Sequence, residues 1–247
     1  MLPSLPSLRR CAAGPVASLR RHPWRWVGAV VALLLVFPAI DLTVSAWFWD
    51  PARHVFVGRT WGPAEWVRLG MPRWLLGGVA VVAGLWLAGE AAGRVLLGVS
   101  RRVALYLLGS LALGPGLVVN VLLKDHWGRP RPSTILEFGG SHSYVAPLAI
   151  TDGCARNCSF PSGHAALGFW LVAVALLAPP RWRPWAIGAA ALAGALVGLV
   201  RIAQGGHFLS DVVFSAIITI SISLWLYRRI MAPAEVGLLK INPPKGG

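Results

Sequence analysis

Acidic side chains are scarce in this sequence. Nine Asp and Glu stand among 247 residues against 23 Lys and Arg, and charged residues make up only 13% of the chain. Soluble globular proteins usually carry about 25% charged residues, so the composition argues against a fold solvated on all sides. The few carboxylates are also scattered: Asp125, Glu137, Asp152 and Asp211 form no grouping that would hold a metal ion. Linkers, low-complexity stretches and internal repeats are lacking too, which leaves one compact bundle. There is no basic helix and no interleaved aromatic platform of the kind nucleic-acid binders use. Cysteine is sparse, at three residues. Cys11 follows Arg10 and does not resemble a lipoprotein cleavage site. Cys154 and Cys158 share one polar loop, where they form either a small disulfide loop or two free thiols. A zinc site would need four good ligands, and only His142 and His164 are nearby.

What is present points to a membrane. Hydrophobic residues reach 56%, with thirteen Trp and a mean hydropathy of +0.64. Trp rings suit interfacial belts, where the ring is buried and the N–H stays wet. The apolar segments are 26–49, 74–97, 103–123, 165–178, 185–200 and 212–227. The last three fall short of the roughly 20 residues needed for a ~30 Å core, so their polar flanks must continue the helices. Residues 51–73 read as an interfacial loop with a short amphipathic helix. The expectation is an all-α integral membrane bundle of about six spans over residues 24–230. A basic tail, 1–23, precedes it and a second tail, 231–247, follows. A basic stretch before an apolar run also describes a signal peptide, but no small-residue cleavage site is evident. Most basic residues sit in short loops on one side, which places both termini in the cytoplasm. Lys124, His164 and His207 then all fall at outer ends of spans.

Three polar clusters carry chemistry. In Lys124-Asp125-His126-Trp127-Gly128-Arg129-Pro130-Arg131-Pro132, Arg131 lies between prolines that fix where its guanidinium points. Its planar fork suits phosphate oxygens, with Lys124 as a point charge. Taken alone, this cluster favours headgroup anchoring over catalysis. Next, Pro161-Ser162-Gly163-His164 opens an apolar run as a helix start, whose free N–H groups attract anions. Last, Arg201, His207 and Asp211 place a histidine and a carboxylate at i and i+4. Asp211 can then accept from one imidazole nitrogen and leave the other basic. Ionisable groups at a span are expensive, which makes them functional by default.

Lysine, six residues, Arg-Pro; then Pro-Ser-Gly-His; then Arg, five residues, His, three residues, Asp: this set resembles the type 2 phosphatidic acid phosphatase superfamily, over residues 124–211. One departure is Val200, where the family usually has Ser. The resemblance implies that His207 is the nucleophile, Asp211 orients it, and His164 is the general acid and then the base. It implies phosphate binding by Lys124, Arg131, Ser162, Gly163 and Arg201, with no metal and no cofactor. Their positive charge would take the place of a metal ion. The implied partners are a phosphorylated membrane lipid and the bilayer, with no nucleic acid and no obligate protein partner. The implied location is the bacterial cytoplasmic membrane, with the site on its periplasmic face. Glu137-Phe138-Gly139-Gly140 and Asn157-Cys158-Ser159-Phe160 look most like lipid A 1-phosphatases. Phosphatidylglycerophosphate, phosphatidic acid and undecaprenyl diphosphate are the alternatives, with Arg129, His142 and Tyr144 as places for headgroup choice. A non-catalytic lipid carrier would instead show polar groups near mid-membrane, where only Asp41 and Glu90 are candidates. A vanadate-dependent oxidase would need a long soluble scaffold that this chain lacks.

Overall fold

The computed structural model describes residues 23–231, so the two expected tails lie outside the described residues but for Pro23 and Met231. The chain divides into two compact units between Phe37 and Pro38. The first holds α1 (Pro23–Val36), an apolar helix of 14 residues. At about 1.5 Å per residue it is too short to cross a membrane alone. Pro38 explains why the expected first span is divided, because proline disfavours helical geometry in the residue before it.

The second unit is a helical bundle carrying loops at one end. It begins with α2 (Ala39–Ala46) and a small antiparallel hairpin, β1 (Trp49–Asp50) with β2 (Val55–Phe56). There follow α3 (Gly62–Ala91), α4 (Arg101–Leu111), α5 (Gly163–Ala175), α6 (Arg183–Ala203) and α7 (Leu209–Leu226). Two helices widen into π-helical turns, α4 over Ala112–Leu123 and α7 over Tyr227–Met231. Four stretches are long and apolar enough to cross a membrane: Gly62–Ala91, Arg101–Leu123, Arg183–Ala203 and Leu209–Met231; α1 with α2 makes a fifth if the pair is one broken span. The chain is thus an all-α membrane bundle, and among the described residues four or five stretches are long and apolar enough to span, where about six were expected. The expected extension into polar flanks occurs in α6, which takes in Arg201, and in α7, which takes in Asp211. In α5 it adds only Gly163 and His164, and that helix is 13 residues long. Nine of those residues are buried, chiefly against α6 and α7. Neighbouring helices rather than lipid surround α5, so it need not match the bilayer thickness.

Residues 62–73, expected within an interfacial loop carrying a short amphipathic helix, are the first turns of the long helix α3. Pro63 suits a helix start because its missing N–H would have no intrahelical partner there. Glu65 and Arg68 then pair three residues apart, at 2.7 Å. The helix stops before Gly93, whose φ of +64° is left-handed. Large apolar side chains such as Trp74, Val81 and Leu87 on α3, and Leu192 and Leu196 on α6, stay exposed. Such outward apolar faces suit hydrocarbon. Inside, Tyr106, Leu107, Trp170 and Tyr227 form one core. A second core of Phe56, Ile135, Phe138 and Phe208 supports the loops. The starts of α3 and α5, the end of α4 and the link from α6 to α7 meet at this loop-bearing end.

Candidate active site

A cavity of about 330 Å³ opens there, and Lys124, Arg131, Gly163, His164, Arg201 and His207 line it. The other two expected residues, Ser162 and Asp211, are fully buried behind this wall. Lys124 ends the π-helical turns of α4, its N–H donating to the Val119 carbonyl at 3.0 Å. Pro115 explains these turns: it has no N–H, so the ladder steps from i−4 to i−5. Asn120, which also lines the cavity, donates its side-chain amide to the Pro115 carbonyl at 2.7 Å. A Cβ on Gly163 would lie 2.5 Å from Asn120 Oδ1, so glycine lets α4 and α5 meet. Ser162 caps the helix, its Oγ accepting from the Ala165 N–H at 3.3 Å. The Gly163 and His164 N–H groups are left without intrahelical acceptors, as at any helix start.

His207 lies between α6 and α7 and is 1% exposed. Its Nδ1 is 2.6 Å from the Ser159 carbonyl oxygen. That oxygen can only accept, so Nδ1 carries the hydrogen and Nε2 the lone pair. Burial, and then the charge of Lys124, pushes the His207 pKa down to about 3, leaving the ring neutral. The expected hydrogen bond from His207 to Asp211 is not made, since Oδ2 stands 3.8 Å from Nδ1. Asp211 accepts instead from Ser159 Oγ at 2.5 Å, the Phe208 N–H at 2.8 Å and Arg129 at 2.6 Å. Orientation therefore passes from Asp211 to Ser159, and from the Ser159 carbonyl to the imidazole.

Arg129 is not available for headgroup choice. It is 0% exposed and donates to Asp41 Oδ2 at 2.8 Å, Asp211 Oδ1 at 2.6 Å and Ser210 Oγ at 2.8 Å. Its Nε donates to the Val145 carbonyl at 3.0 Å, and its guanidinium lies 4.3 Å from the Phe208 ring centroid. Asp41 also accepts from the Ser210 N–H at 2.8 Å. Asp41 is thus the buried partner of Arg129 rather than a transport group. Glu90, the other carrier candidate, accepts from Trp86 Nε1 at 2.9 Å near the far end of α3.

Other partners frame the cavity. His164 Nε2 is 2.9 Å from the Arg68 carbonyl, which fixes the hydrogen on Nε2 and leaves Nδ1 to exchange protons. Arg201 Nη1 donates to Gln204 Oε1, and Gln204 Nε2 donates to Glu65 at 3.1 Å. A Cβ on Gly206 would lie 2.6 Å from Arg201 Nη2, so the guanidinium uses the space glycine leaves. Cys154 and Cys158 form a disulfide, with Cα atoms 5.6 Å apart. Within that loop the Asn157 carbonyl accepts from Arg131 at 2.6 Å and 3.2 Å. Burial, then Arg131, lowers the Lys124 pKa to about 8, and burial lowers that of Arg131. These crowded cations gain from any anion that enters. Among the described residues, no three His, Cys, Asp or Glu gather as a metal site. Asn120, Arg68, Ser159, Glu65 and Gln204 were not singled out from sequence. Asn120 had a signal, as an amide within an apolar run.

Comparison with known proteins gives the family. Residues 103–233 match the PAP2 superfamily. The lipid A 4'-phosphatase of Francisella tularensis subsp. novicida is 37% identical over 201 residues, covering 80% of this chain and 88% of that one. The lipid A 4'-phosphatase of Rhizobium etli is 43% identical over 105 residues, 42% of this chain and 41% of its own length. That of Rhizobium leguminosarum is 42% identical over 106 residues, 43% of this chain and 46% of its own. The relatives named here are thus 4'-phosphatases, whereas the loop motifs pointed to the 1-position. No solved structure matches the chain.

Proposed function

This chain belongs to the PAP2 superfamily, and from that premise we propose that it removes the 4'-phosphate of lipid A through a phosphohistidine at His207. The observation that carries the reading is a single cavity lined by two histidines and four cations, Arg68, Lys124, Arg131 and Arg201, with His207 Nδ1 spent on a carbonyl. The names of the relatives supply the 4' position. His207 Nε2 forms a bond to phosphorus while the bond from phosphorus to the sugar oxygen breaks. His164, whose pKa burial and then Arg201 hold down to about 4 in the empty site, takes up a proton as the phosphate charge enters and gives it to that oxygen. Neutral His164 then takes a proton from water as the water oxygen attacks phosphorus. The phosphorus–nitrogen bond breaks, and phosphate leaves. Lys124, Arg131 and Arg201, with the Gly163 N–H, hold the phosphoryl oxygens and stabilise charge in both transition states.

The site belongs on the outer face of the bacterial inner membrane. Arg94, Arg101, Arg102, Arg181, Arg183, Arg228 and Arg229 lie in segments at the other end of the spans, which favours that end as cytoplasmic. The disulfide between Cys154 and Cys158 suits an oxidising compartment. The test is phosphate release by the purified protein from lipid A phosphorylated only at 4' or only at 1. Phosphatidic acid, phosphatidylglycerophosphate and undecaprenyl diphosphate complete the panel. The 4'-phosphorylated lipid should react fastest. Faster release from any other lipid overturns the substrate, and release from none overturns the activity.

A further inference from the structure

A second cationic cavity adjoins the first. Its volume is about 370 Å³, and Arg59, Glu65, Arg68, Arg131, Arg201 and Gln204 line it. Arg68, Arg131 and Arg201 are shared with the first cavity. The two walls together carry five cations, the fifth being Lys124, against one carboxylate. That carboxylate is already engaged, since Glu65 accepts from Arg68 at 2.7 Å and from Gln204 at 3.1 Å. A phosphate monoester brings about −1.5 to −2 charges at pH 7. One phosphate therefore leaves the pair of cavities with unmatched positive charge.

Two side chains mark where a second anion fits. Arg201 is 5% exposed, yet its Nε has no partner among the described residues. A buried N–H left unpaired costs free energy, and a ligand oxygen relieves that cost. Arg59 enters from the turn before α3, its Nε donating to the Gln204 carbonyl at 3.2 Å. Arg59 lines the second cavity and not the first. The phosphoryl site has its cations without Arg59, so Arg59 serves something else.

We propose that the second cavity binds a second phosphate group, carried by the same lipid whose first phosphate faces His207. The inference rests on the lipid phosphatase reading and deepens it. Arg131 and Arg201, common to both walls, then contact both groups, and the protein selects doubly phosphorylated head groups. Inorganic phosphate has the same chemistry, and the test must separate the two sources.

Binding and turnover are measured in one detergent for lipid A phosphorylated at 1 and 4', and for lipid A phosphorylated at 4' alone. Wild type, Arg59→Gln and Arg59→Lys are compared. Wild type should bind the two-phosphate lipid about tenfold more tightly, as one charge-assisted contact allows. Arg59→Gln should narrow that ratio severalfold, and Arg59→Lys should restore it. Equal affinities in wild type overturn the inference, as does an equal loss for both lipids in Arg59→Gln, which marks Arg59 as a general surface charge. Non-competitive inhibition by inorganic phosphate, weakened in Arg59→Gln without any lipid preference, overturns the lipid as the source. If neither lipid releases phosphate but the binding ratio holds, the phosphatase reading falls and the second site stands.

Discussion

At the scale of single residues, the site balances cations that lack an anion against a neutral histidine. Lys124 shows this best. Its pKa lies below the usual lysine value, at about 8, through burial and the nearby Arg131. The charged form binds phosphate, so the useful charge is present below pH 8 and lost as pH rises through it. We therefore expect kcat/KM to fall above about pH 8, mostly through KM. Lys124→Arg should move that fall to higher pH. A pH profile unchanged in Lys124→Arg would assign the fall to another group. Arg129 gives a second residue-level prediction. Arg129→Met leaves Asp41 and Asp211 buried without their shared cation. Breaking a buried pair costs about 3–5 kcal/mol, so the melting temperature should drop sharply. A melt unchanged in detergent would refute the structural role of Arg129. The three clusters were legible in sequence because their combined spacing is far more specific than any one of them, whereas a basic residue at a span end alone often only anchors to headgroups. The link from Arg129 to Asp41 was not, since 88 positions separate the two. Asp211 was read from its spacing to His207, yet only the fold shows that Ser159 stands between them.

Elements place these residues through their ends. α4 delivers Lys124 and Asn120 through turns that Pro115 widens, and α5 opens against Asn120 at Gly163. Pro115→Ala restores an N–H and favours regular α-helix. The register of Asn120 and Lys124 would then shift against α5. Activity should fall at least about tenfold while thermal stability holds or rises, because proline in a helix interior costs roughly 3 kcal/mol. Full activity in Pro115→Ala would show that the π-helical turns do not position Lys124. Apolar runs made the spans legible. The helix in residues 62–73 was expected to be short because Pro, Gly and Arg usually mark loops, whereas Pro63 here opens a long helix and Glu65 with Arg68 braces it. α5 looked like a short span because apolar sequence does not say whether lipid or protein surrounds it.

For the whole molecule, a membrane bundle holds a polar site at one end, under loops tied by a disulfide. Reducing the Cys154–Cys158 bond frees the loop whose Asn157 carbonyl holds Arg131. KM should rise severalfold with kcat little changed, as measured before and after treatment with reductant under native conditions. An unchanged KM after verified reduction would remove the loop from phosphate binding. About six spans were expected; among the described residues four or five stretches are long and apolar enough, and α5 is shorter and mostly buried. The shared end for all three clusters was nonetheless correctly anticipated, because it follows from the alternating direction of the helices.

The central claim is that His207 carries the phosphoryl group. It is tested most directly by rapid quenching of the purified protein with lipid A labelled at the 4'-phosphate, followed by mapping of any labelled peptide. The account predicts an acid-labile, base-stable label on His207 that appears before free phosphate and is absent from His207→Ala. Label on another residue, or steady phosphate release from His207→Ala at the wild-type rate, would contradict it.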